Sequence, residues 1–277
     1  MRNGAFMKSI FEGLDRDIRE NLRLQLSIYW TYSSNAVEGS SLTIGETDFV
    51  LREGITIGGK PLKDYKDAEG HFHAIQLLQQ FLTVPVLTEE HLFELHKLII
   101  PDNYVDIYAP RGAWKNEPNG TFVLDESGKR NWISYPTPDE IPELMTRWLE
   151  LYNRSGLPTD QDSAVRLFSL LHTLFVTIHP FFDGNGRIAR LIANVPLLKA
   201  GFPPIAIPPE KRHEYITILH KITHDAGIFK DFSAFHSPAF EVFLKSCWQS
   251  VYDIVEEARK VQQERKKKQR HTPGMNI

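Results

Sequence analysis

Residues 165–193 read VRLFSLLHTLFVTIHPFFDGNGRIARLIA, a strongly apolar run that passes into a turn rich in glycine and charge. Apolar side chains surround nearly the whole first part, and a helix with that pattern is buried on most of its sides. We therefore expect a central helix over residues 162–178 that leads directly into His179. After the glycines, a second helix is predicted over residues 187–199, with Gly201 just beyond its end.

The turn Gly184-Asn185-Gly186 has the composition of an anion-binding site. Glycine accepts positive φ and asparagine accepts the left-handed region, so the chain can turn tightly here. The turn stands at the start of the following helix, whose free N–H groups and dipole attract anions. Arg187 and Arg190 lie three residues apart on that helix and project to similar sides. Two guanidinium groups beside a helix start predict a polyphosphate site.

Two further side chains in the same stretch can do chemistry on a bound polyphosphate. Asp183 is a hard oxygen ligand, and Mg²⁺ usually binds through one or two carboxylates together with phosphate oxygens. His179 titrates near neutrality and can accept a proton from an attacking hydroxyl. The spacing of Gly184, Gly186 and Ala189 also matches a dinucleotide-binding fingerprint. We reject that interpretation because a helix, and not a strand, precedes the glycines.

Residues 179–190, HPFFDGNGRIAR, resemble the signature of the Fic family, His-Pro-Phe-x-Asp-Gly-Asn-Gly-Arg-x-x-Arg, at its nine specified positions. The similarity extends over roughly residues 30–240. It implies a mostly α-helical Fic-type domain and an enzyme that transfers AMP from Mg·ATP to a Ser, Thr or Tyr hydroxyl of a target protein. Gly184 favours nucleotidyl transfer, because a relative that transfers phosphate carries lysine at this position.

The resemblance also implies roles for the residues of this stretch. His179 would be the general base, and Asp183 would hold Mg²⁺ or Mn²⁺ against the α- and β-phosphates. Arg187 would contact the β-phosphate and Arg190 the γ-phosphate. The other residues expected to contact the nucleotide are Phe181, Gly184, Asn185, Gly186 and Tyr215. For Tyr215 a place in the core is an equal alternative.

A second motif, Ser34-Asn35-Ala36-Val37-Glu38-Gly39, matches the pattern Ser/Thr-x-x-x-Glu-Gly/Asn of the self-inhibited subgroup of this family. The resemblance implies that Ser34 and Glu38 are inhibitory residues. Glu38 would pair with Arg190 and so occupy the arginine that the γ-phosphate needs. The alternative is that Glu38 is a helix-end carboxylate on a solvated face.

Residues 120–124 and 130–135 are β-rich and flank Asp125-Glu126-Ser127-Gly128, which predicts an antiparallel hairpin. This hairpin resembles the family's flap, which clamps a segment of the target by strand addition. The flap residues expected to face the site are Asn131, Trp132 and Ile133. Alternatively, Trp132 packs beneath the hairpin.

The chain of 277 residues is 42% hydrophobic and 24% charged, which is typical of a soluble globular protein. Because no run of about 18 apolar residues occurs, we expect no membrane span. The single cysteine, Cys247, excludes a disulfide within the chain and favours a reducing, cytoplasmic location. It lies in an apolar stretch, so a buried and inert thiol is expected.

The net charge of −3 is unevenly distributed along the chain. Residues 259–270 carry seven Lys or Arg and one Glu, which leaves 25 basic and 34 acidic residues elsewhere. We interpret this stretch as a solvated or frayed tail and expect no nucleic-acid partner. The pairs His71/His73 and His220/His224 lack a third ligand and do not predict a zinc site. His172 is expected to be a hydrogen-bonded core residue.

Apart from the hairpin, the patterns predict helices. These are expected over residues 16–31, 64–81 and 239–260, after Thr88 and Thr137, and from near Glu210. We predict a mostly α, single Fic-type helical domain with a small β-hairpin flap. Residues 1–45 would form an N-terminal helical segment with the inhibitory motif, residues 46–240 the catalytic core, and residues 241–277 a C-terminal helix and basic tail.

Three functions remain open at this point. The first is an autoinhibited protein adenylyltransferase, and the second is removal of AMP from a modified target by the same residues. The third is a nucleotide-binding regulatory or interaction module. The expected partners are ATP and a hydroxyl-bearing target protein, with a homodimer also considered.

Overall fold

The computed structural model describes residues 10–56, 58–101, 109–124, 130–223, 229, 231–232 and 235–271. These residues form a mostly helical structure with one two-stranded antiparallel sheet, which confirms the predicted fold class. The helices are α1 Arg16–Val37, α2 Ile44–Glu53, α3 Leu62–Phe81, α4 Glu89–Ile99, α5 Ile141–Arg154, α6 Gln161–Ile178, α7 Asn185–Ile192, α8 Val195–Lys199, α9 Arg212–Thr223 and α10 Pro238–His271. The strands are β1 Gly120–Leu124 and β2 Arg130–Ser134.

Helix α6 lies at the centre of the fold, as its apolar pattern predicts. Twelve of its 18 residues are buried, and it packs against α5, α7, α9 and α10. The Asp160 side chain starts the helix by accepting the N–H of Ser163 at 2.7 Å. Each fully buried Leu or Phe side chain contributes about 1.5–3 kcal/mol, so α6 is a rigid support for the residue at its end.

Helix α1 is longer than predicted and ends at Val37, not near Tyr32. Ser and Asn are poor helix formers because their side chains compete for backbone hydrogen bonds. Here tertiary contacts compensate, since Asn35 Nδ2 donates to the Asp67 carbonyl at 3.2 Å and Ser34 is buried. The extra turns place Glu38 at the C-terminal cap of α1.

The single helix predicted over residues 187–199 is wrong, because α7 and α8 replace it. Pro196 lies in the first turn of α8, where a missing N–H is tolerated, whereas in a helix interior its ring clashes with the preceding turn. The Asn194 side chain holds the break, bonding the N–H and the carbonyl of Ile205 at 2.7 and 2.9 Å. Gly201 follows α8 with φ 89°, as expected.

The stretch predicted to be solvated or frayed is mostly solvated but not frayed in its described residues, because α10 continues through it. Arg265 forms ion pairs with Asp15 at 2.9 Å and Asp17 at 2.6 Å. Gln262 Oε1 accepts the N–H of Asp15 at 2.6 Å. The basic end of α10 therefore lies beside the start of α1.

Helix α2 is an element that the sequence patterns did not predict. Its start is a capping box, in which Thr43 Oγ1 accepts the N–H of Glu46 and Glu46 Oε2 accepts the N–H of Thr43.

The predicted core histidine, His172, and the predicted buried cysteine, Cys247, are confirmed. His172 Nε2 lies 2.9 Å from the Tyr215 hydroxyl, and burial raises the pKa of the Cys247 thiol to about 12.

The hairpin has the predicted strands, with Phe122 paired to Trp132 and Thr121 to Ile133. Its predicted turn, residues 125–128, lies outside the described residues. In the described part of the chain no helix is both long and apolar enough to cross a membrane.

Candidate active site

Helix α6 ends in a left-handed residue, His179, with φ 52°. Among the described residues it is the only non-glycine residue with positive φ. Its N–H donates to the Phe175 carbonyl at 3.0 Å, and its Nδ1 lies 3.2 Å from the Val176 carbonyl. Because a carbonyl can only accept, Nδ1 carries the proton and Nε2 is left as a free acceptor.

The environment of the His179 ring keeps it neutral. Burial is the largest cause of a lowered pKa, the Lys115 ammonium acts in the same direction, and the resulting pKa of the imidazole is about 4. The Val176 carbonyl, Asp183 and Glu38 act in the opposite direction without restoring the ordinary pKa. The Tyr135 ring stacks on the imidazole at 3.7 Å between ring centres. At neutral pH this histidine is therefore in the form that accepts a proton.

The loop after His179 is fixed by its own asparagine. Asn185 Oδ1 accepts the Phe181 N–H at 2.9 Å, and Asn185 Nδ2 donates to the Phe181 carbonyl at 2.8 Å. The Phe181 ring is fully buried and stacks on His96 at 4.1 Å. The ring of Phe181 therefore supports the loop from the core side, and the predicted nucleotide contact of this residue stays a prediction.

His96 is a supporting residue that the sequence analysis missed. Its Nδ1 accepts the Gly112 N–H at 2.7 Å, so Nε2 carries the proton that points to the Asp183 carbonyl at 3.3 Å. Burial lowers the pKa of His96 to about 4, which keeps this single tautomer at neutral pH.

Two glycines allow the loop to enter α7. Gly184 has φ 80°, and a Cβ there would lie 3.1 Å from Ile99 and 3.2 Å from Ile100. At Gly186 a Cβ would lie 2.6 Å from Glu38 Oε1. The glycines thus permit a tight turn and a close approach of the Glu38 carboxylate to the start of α7, where N–H groups have no partner within the helix.

Arg190 is buried and bound to two other helices. Its Nε donates to Ser34 Oγ at 3.0 Å, and its Nη2 donates to the Ser34 carbonyl at 3.0 Å and to Glu38 Oε1 at 2.7 Å. Its Nη1 donates to the Tyr215 hydroxyl at 3.3 Å. The predicted pairing of Glu38 with Arg190 is confirmed as a contact. Glu38 remains 45% exposed in its side chain, so solvent can reach the pair.

Tyr215 occupies the core, the second of the two alternatives considered for it. Its ring is buried, and its hydroxyl bridges Arg190 and His172. Burial raises the pKa of the phenol, so it remains protonated and can donate to His172 while it accepts from Arg190. A contact with adenine would require this ring to become exposed.

Arg187 and Arg190 diverge, although their spacing predicted similar directions. Arg187 Nη1 donates to Asp67 Oδ1 at 3.0 Å and to the Ile99 carbonyl at 3.3 Å. Its Nη2 lies 3.6 Å from Asp183 Oδ2. Arg187 thus ties α7 to α3 through a buried ion pair, and Asp67 is a partner that the sequence analysis missed.

Asp183 has the properties of a single-carboxylate metal ligand. Its side chain is 68% exposed, and one oxygen accepts the Gly184 N–H at 2.6 Å. Among the described residues no group of three or more His, Cys, Asp or Glu could hold a metal ion alone. A lone exposed carboxylate beside a helix start nevertheless suits Mg²⁺, which takes its other ligands from phosphates and water.

The hairpin presents alternate residues to opposite faces. Asn131 and Ile133 are partly buried, whereas Trp132 is 53% exposed and packs on Phe122. Trp132 thus lies on the opposite face of the strand from its two neighbours, because successive strand residues alternate. Trp132 does not lie beneath the hairpin, since its Nε1 donates to Ser134 Oγ on the exposed face.

The segment before the hairpin docks on the catalytic loop through residues that the sequence analysis missed. The Lys115 N–H donates to the Pro180 carbonyl at 2.9 Å. Asn119 Nδ2 lies 3.3 Å from the carbonyls of both Phe181 and Phe182. No spacing pattern marks these contacts, because each joins residues more than 60 positions apart.

Comparison with known proteins gives consistent results. A family model described as the Fic/DOC family matches residues 86–197. The solved structure of a Fic domain containing signaling protein from Bacteroides thetaiotaomicron is 32% identical, covers 90% of this chain and 93% of its own, and has a TM-score of 0.75. A structure of Fic-1 from Caenorhabditis elegans is 22% identical, covers 91% of this chain and 69% of its own, and has a TM-score of 0.69, which supports the fold alone.

Curated relatives carry an activity in their names. Protein adenylyltransferase fic-1 from Caenorhabditis elegans is 29% identical over 231 residues, which is 80% of this chain and 42% of that protein. Protein adenylyltransferase Fic from Nematostella vectensis is 28% identical over 197 residues, which is 70% of this chain and 42% of that protein. The chain thus spans about two fifths of the length of these relatives.

Proposed function

The chain belongs to the Fic/DOC family, and on that premise we propose that it is a protein adenylyltransferase. The proposed reaction transfers AMP from ATP to a Ser, Thr or Tyr hydroxyl of a target protein. The relatives named protein adenylyltransferases support it. The observation that carries it is the placement of a neutral His179 with a free Nε2 next to the N-terminus of α7.

In the proposed step, the target hydroxyl attacks the α-phosphorus and gives its proton to His179 Nε2. A bond forms between the hydroxyl oxygen and the α-phosphorus, and the bond from this phosphorus to the leaving pyrophosphate breaks. The N-terminus of α7 and Arg190 supply positive charge for the polyphosphate. A positioned general base contributes typically 10²–10⁴-fold to such a step.

Asp183 is the proposed ligand of Mg²⁺ or Mn²⁺, because its carboxylate is exposed and hard. A bound divalent ion would neutralise charge on the phosphates. Arg187, which lies beside Asp183, would hold that carboxylate in place while it contacts the β-phosphate.

We further propose that Glu38 inhibits the enzyme, as in the self-inhibited subgroup of the family. Its carboxylate takes the position on Arg190 that an anionic phosphate would need. Separating a partly exposed ion pair costs at most a few kcal/mol, so the inhibition can be relieved.

Target binding, assembly and location complete the proposal. Asn131 and Ile133, the partly buried residues of β2, are the proposed contacts of the target segment. A homodimer is supported by large exposed apolar side chains in one part of the chain, namely Ile44, Phe49, Ile55 and Leu62. A cytoplasmic location is supported by the single cysteine.

The test compares the wild type with Glu38→Gly, with and without His179→Ala, incubated with Mg²⁺ and ATP labelled at the α- or the γ-phosphate. We expect Glu38→Gly to incorporate α-label into itself or into lysate proteins at least tenfold faster than the wild type. Adding His179→Ala should abolish incorporation while ATP binding remains nearly unchanged.

Three other outcomes of this experiment would contradict parts of the proposal. Incorporation of γ-label would contradict AMP transfer and indicate transfer of phosphate. ATP binding without any incorporation by Glu38→Gly would favour a nucleotide-binding module. Full activity of the His179→Ala form would remove the assignment of the base.

A further inference from the structure

Lys115 is the only buried lysine among the described residues, and it lies next to the candidate active site. It lies in the segment between α4 and β1. Its Nζ donates to Asn119 Oδ1 at 2.7 Å. Burial of an ammonium group costs free energy that one neutral hydrogen bond does not recover, so the charge itself calls for an explanation.

The contacts of this lysine lead to His179 by two routes. Its main-chain N–H donates to Pro180, the residue that follows His179. Its Nζ lies 5.7 Å from the centre of the Tyr135 ring, and that ring stacks on the imidazole. Asn119, the hydrogen-bond partner of Nζ, also accepts the Tyr135 N–H through its carbonyl at 3.1 Å.

The charges that face the imidazole come from several elements. Asp183 in the loop and Glu38 at the end of α1 are both anions and favour a protonated ring. Lys115 is the cation that acts against them, and Tyr135 adds no charge. An anionic triphosphate bound at α7 would add to the tendency to protonate His179. A cation held close to the ring on the protein side acts together with burial against this tendency.

We propose that Lys115 is a positioning residue for His179: its ammonium charge opposes protonation of the imidazole, and its hydrogen bonds hold the segment before the hairpin against the catalytic loop. This inference rests on the proposed function for its importance to catalysis. The effect on the imidazole does not depend on which reaction the site performs. The effect on the imidazole comes from the positive charge of the Lys115 ammonium group, so an uncharged hydrogen-bond donor at position 115 cannot reproduce it.

The test uses three substitutions that separate charge from hydrogen bonding. Lys115→Met removes both, Lys115→Gln keeps a donor for Asn119 without the charge, and Lys115→Arg keeps the charge. Lys245→Met is the control, because Lys245 is half exposed and pairs with Asp162 on the surface. In each full-length variant, the ring protons of His179 are titrated by NMR without nucleotide.

We expect the His179 midpoint to rise by about 0.5 to 1 pH unit in Lys115→Met and Lys115→Gln, and to stay in place in Lys115→Arg and in the control. The acid limb of the automodification rate, measured in the Glu38→Gly background, should move the same way. If Lys115→Met does not fold, Lys115→Gln provides the same comparison.

A His179 midpoint in Lys115→Gln equal to that of the wild type would overturn the proposal. A rise of the His179 midpoint in Lys115→Arg as large as that in Lys115→Gln would also overturn it. A loss of rate that is equal at every pH would also overturn it, because it would indicate a structural role only. If the midpoints move as expected while no variant transfers AMP, the proposed function fails and the effect of Lys115 on His179 stands.

Discussion

Arg190 is held in one orientation by contacts with Ser34 and Tyr215 as well as with Glu38. Ser34 and Tyr215 hold its Nε, Nη1 and Nη2 through groups that do not depend on Glu38. Glu38 adds a single contact to Nη2. When Glu38 moves away, Arg190 therefore stays oriented, and an anionic phosphate oxygen can replace the carboxylate without reordering the arginine.

This arrangement predicts the effect of removing the anchors. In the Glu38→Gly background, Ser34→Ala and Tyr215→Phe should each weaken ATP binding about 5- to 10-fold, since each removes one hydrogen bond to a charged group. Isothermal titration calorimetry measures the affinity. Ser33→Ala is the control, because Ser33 is buried on the same helix and bonds only the Trp30 carbonyl. Unchanged affinity in both anchor variants would show that Arg190 does not bind the nucleotide.

At the same scale, sequence reasoning found the residues that share a recognisable pattern. It predicted the ion pair between Glu38 and Arg190 because both residues belong to recognisable motifs, and Glu38 Oε1 lies 2.7 Å from Arg190 Nη2. It could not predict that the Phe181 ring is buried or that Trp132 lies on the exposed face of the hairpin, because a motif specifies residue types and not the direction of each side chain. It missed Lys115 and Asp67, which lie alone in the sequence and become important only through long-range contacts.

At the scale of elements, the connection from α6 to α7 holds the candidate catalytic residues. The apolar surface of α6 predicted its burial, and the glycines predicted the turn. The break between α7 and α8 could have been expected from Pro196, but the bonds of Asn194 to Ile205 could not. The helical C-terminal stretch was missed because its order depends on pairing with Asp15 and Asp17 of the first helix.

The turn can be tested through Gly184. Gly184→Ala puts a side chain at φ 80° and brings its Cβ to 3.1–3.2 Å from Ile99 and Ile100. The left-handed conformation alone costs about 1–2 kcal/mol for a residue with a Cβ. Gly13→Ala is the matched control, since Gly13 has φ 77° and nothing within 4 Å of its added Cβ.

Urea unfolding should show that Gly184→Ala loses more stability than Gly13→Ala, because only the former adds crowding to backbone strain. Equal losses would mean that the isoleucines yield without cost. A smaller loss for Gly184→Ala would contradict the described turn.

At the scale of the whole molecule, four histidines whose pKa is lowered by burial, His71, His96, His172 and His179, make folding sensitive to acid. Burial lowers the pKa of His96 to about 4 and of His172 to about 3, and it places the pKa of His71 well below the ordinary value. In the unfolded chain each titrates near 6.5. The unfolded chain thus binds more protons below pH 6.5, and the stability present above that pH is lost as the pH falls.

The expected slope is about 1.4 kcal/mol per pH unit for each of these histidines once the pH is well below 6.5. Chemical unfolding between pH 7.5 and 4.5 measures it. His172→Gln should reduce the slope of stability against pH by about 1.4 kcal/mol per pH unit, because one titrating group is removed. His73→Gln, at an exposed position, should leave this slope unchanged. A stability that is flat between pH 6.5 and 4.5 would show that these side chains are not buried in the neutral form.

The central claim is that the loop between α6 and α7 binds a nucleoside triphosphate beside a base that activates an alcohol. The most direct measurement is a crystal structure of Glu38→Gly with Mg²⁺ and a non-hydrolysable ATP analogue. The account predicts the triphosphate at the N-terminus of α7, the terminal phosphate on Arg190 and the α-phosphate near His179 Nε2. A nucleotide bound elsewhere, or an imidazole whose Nε2 points into the core, would contradict it.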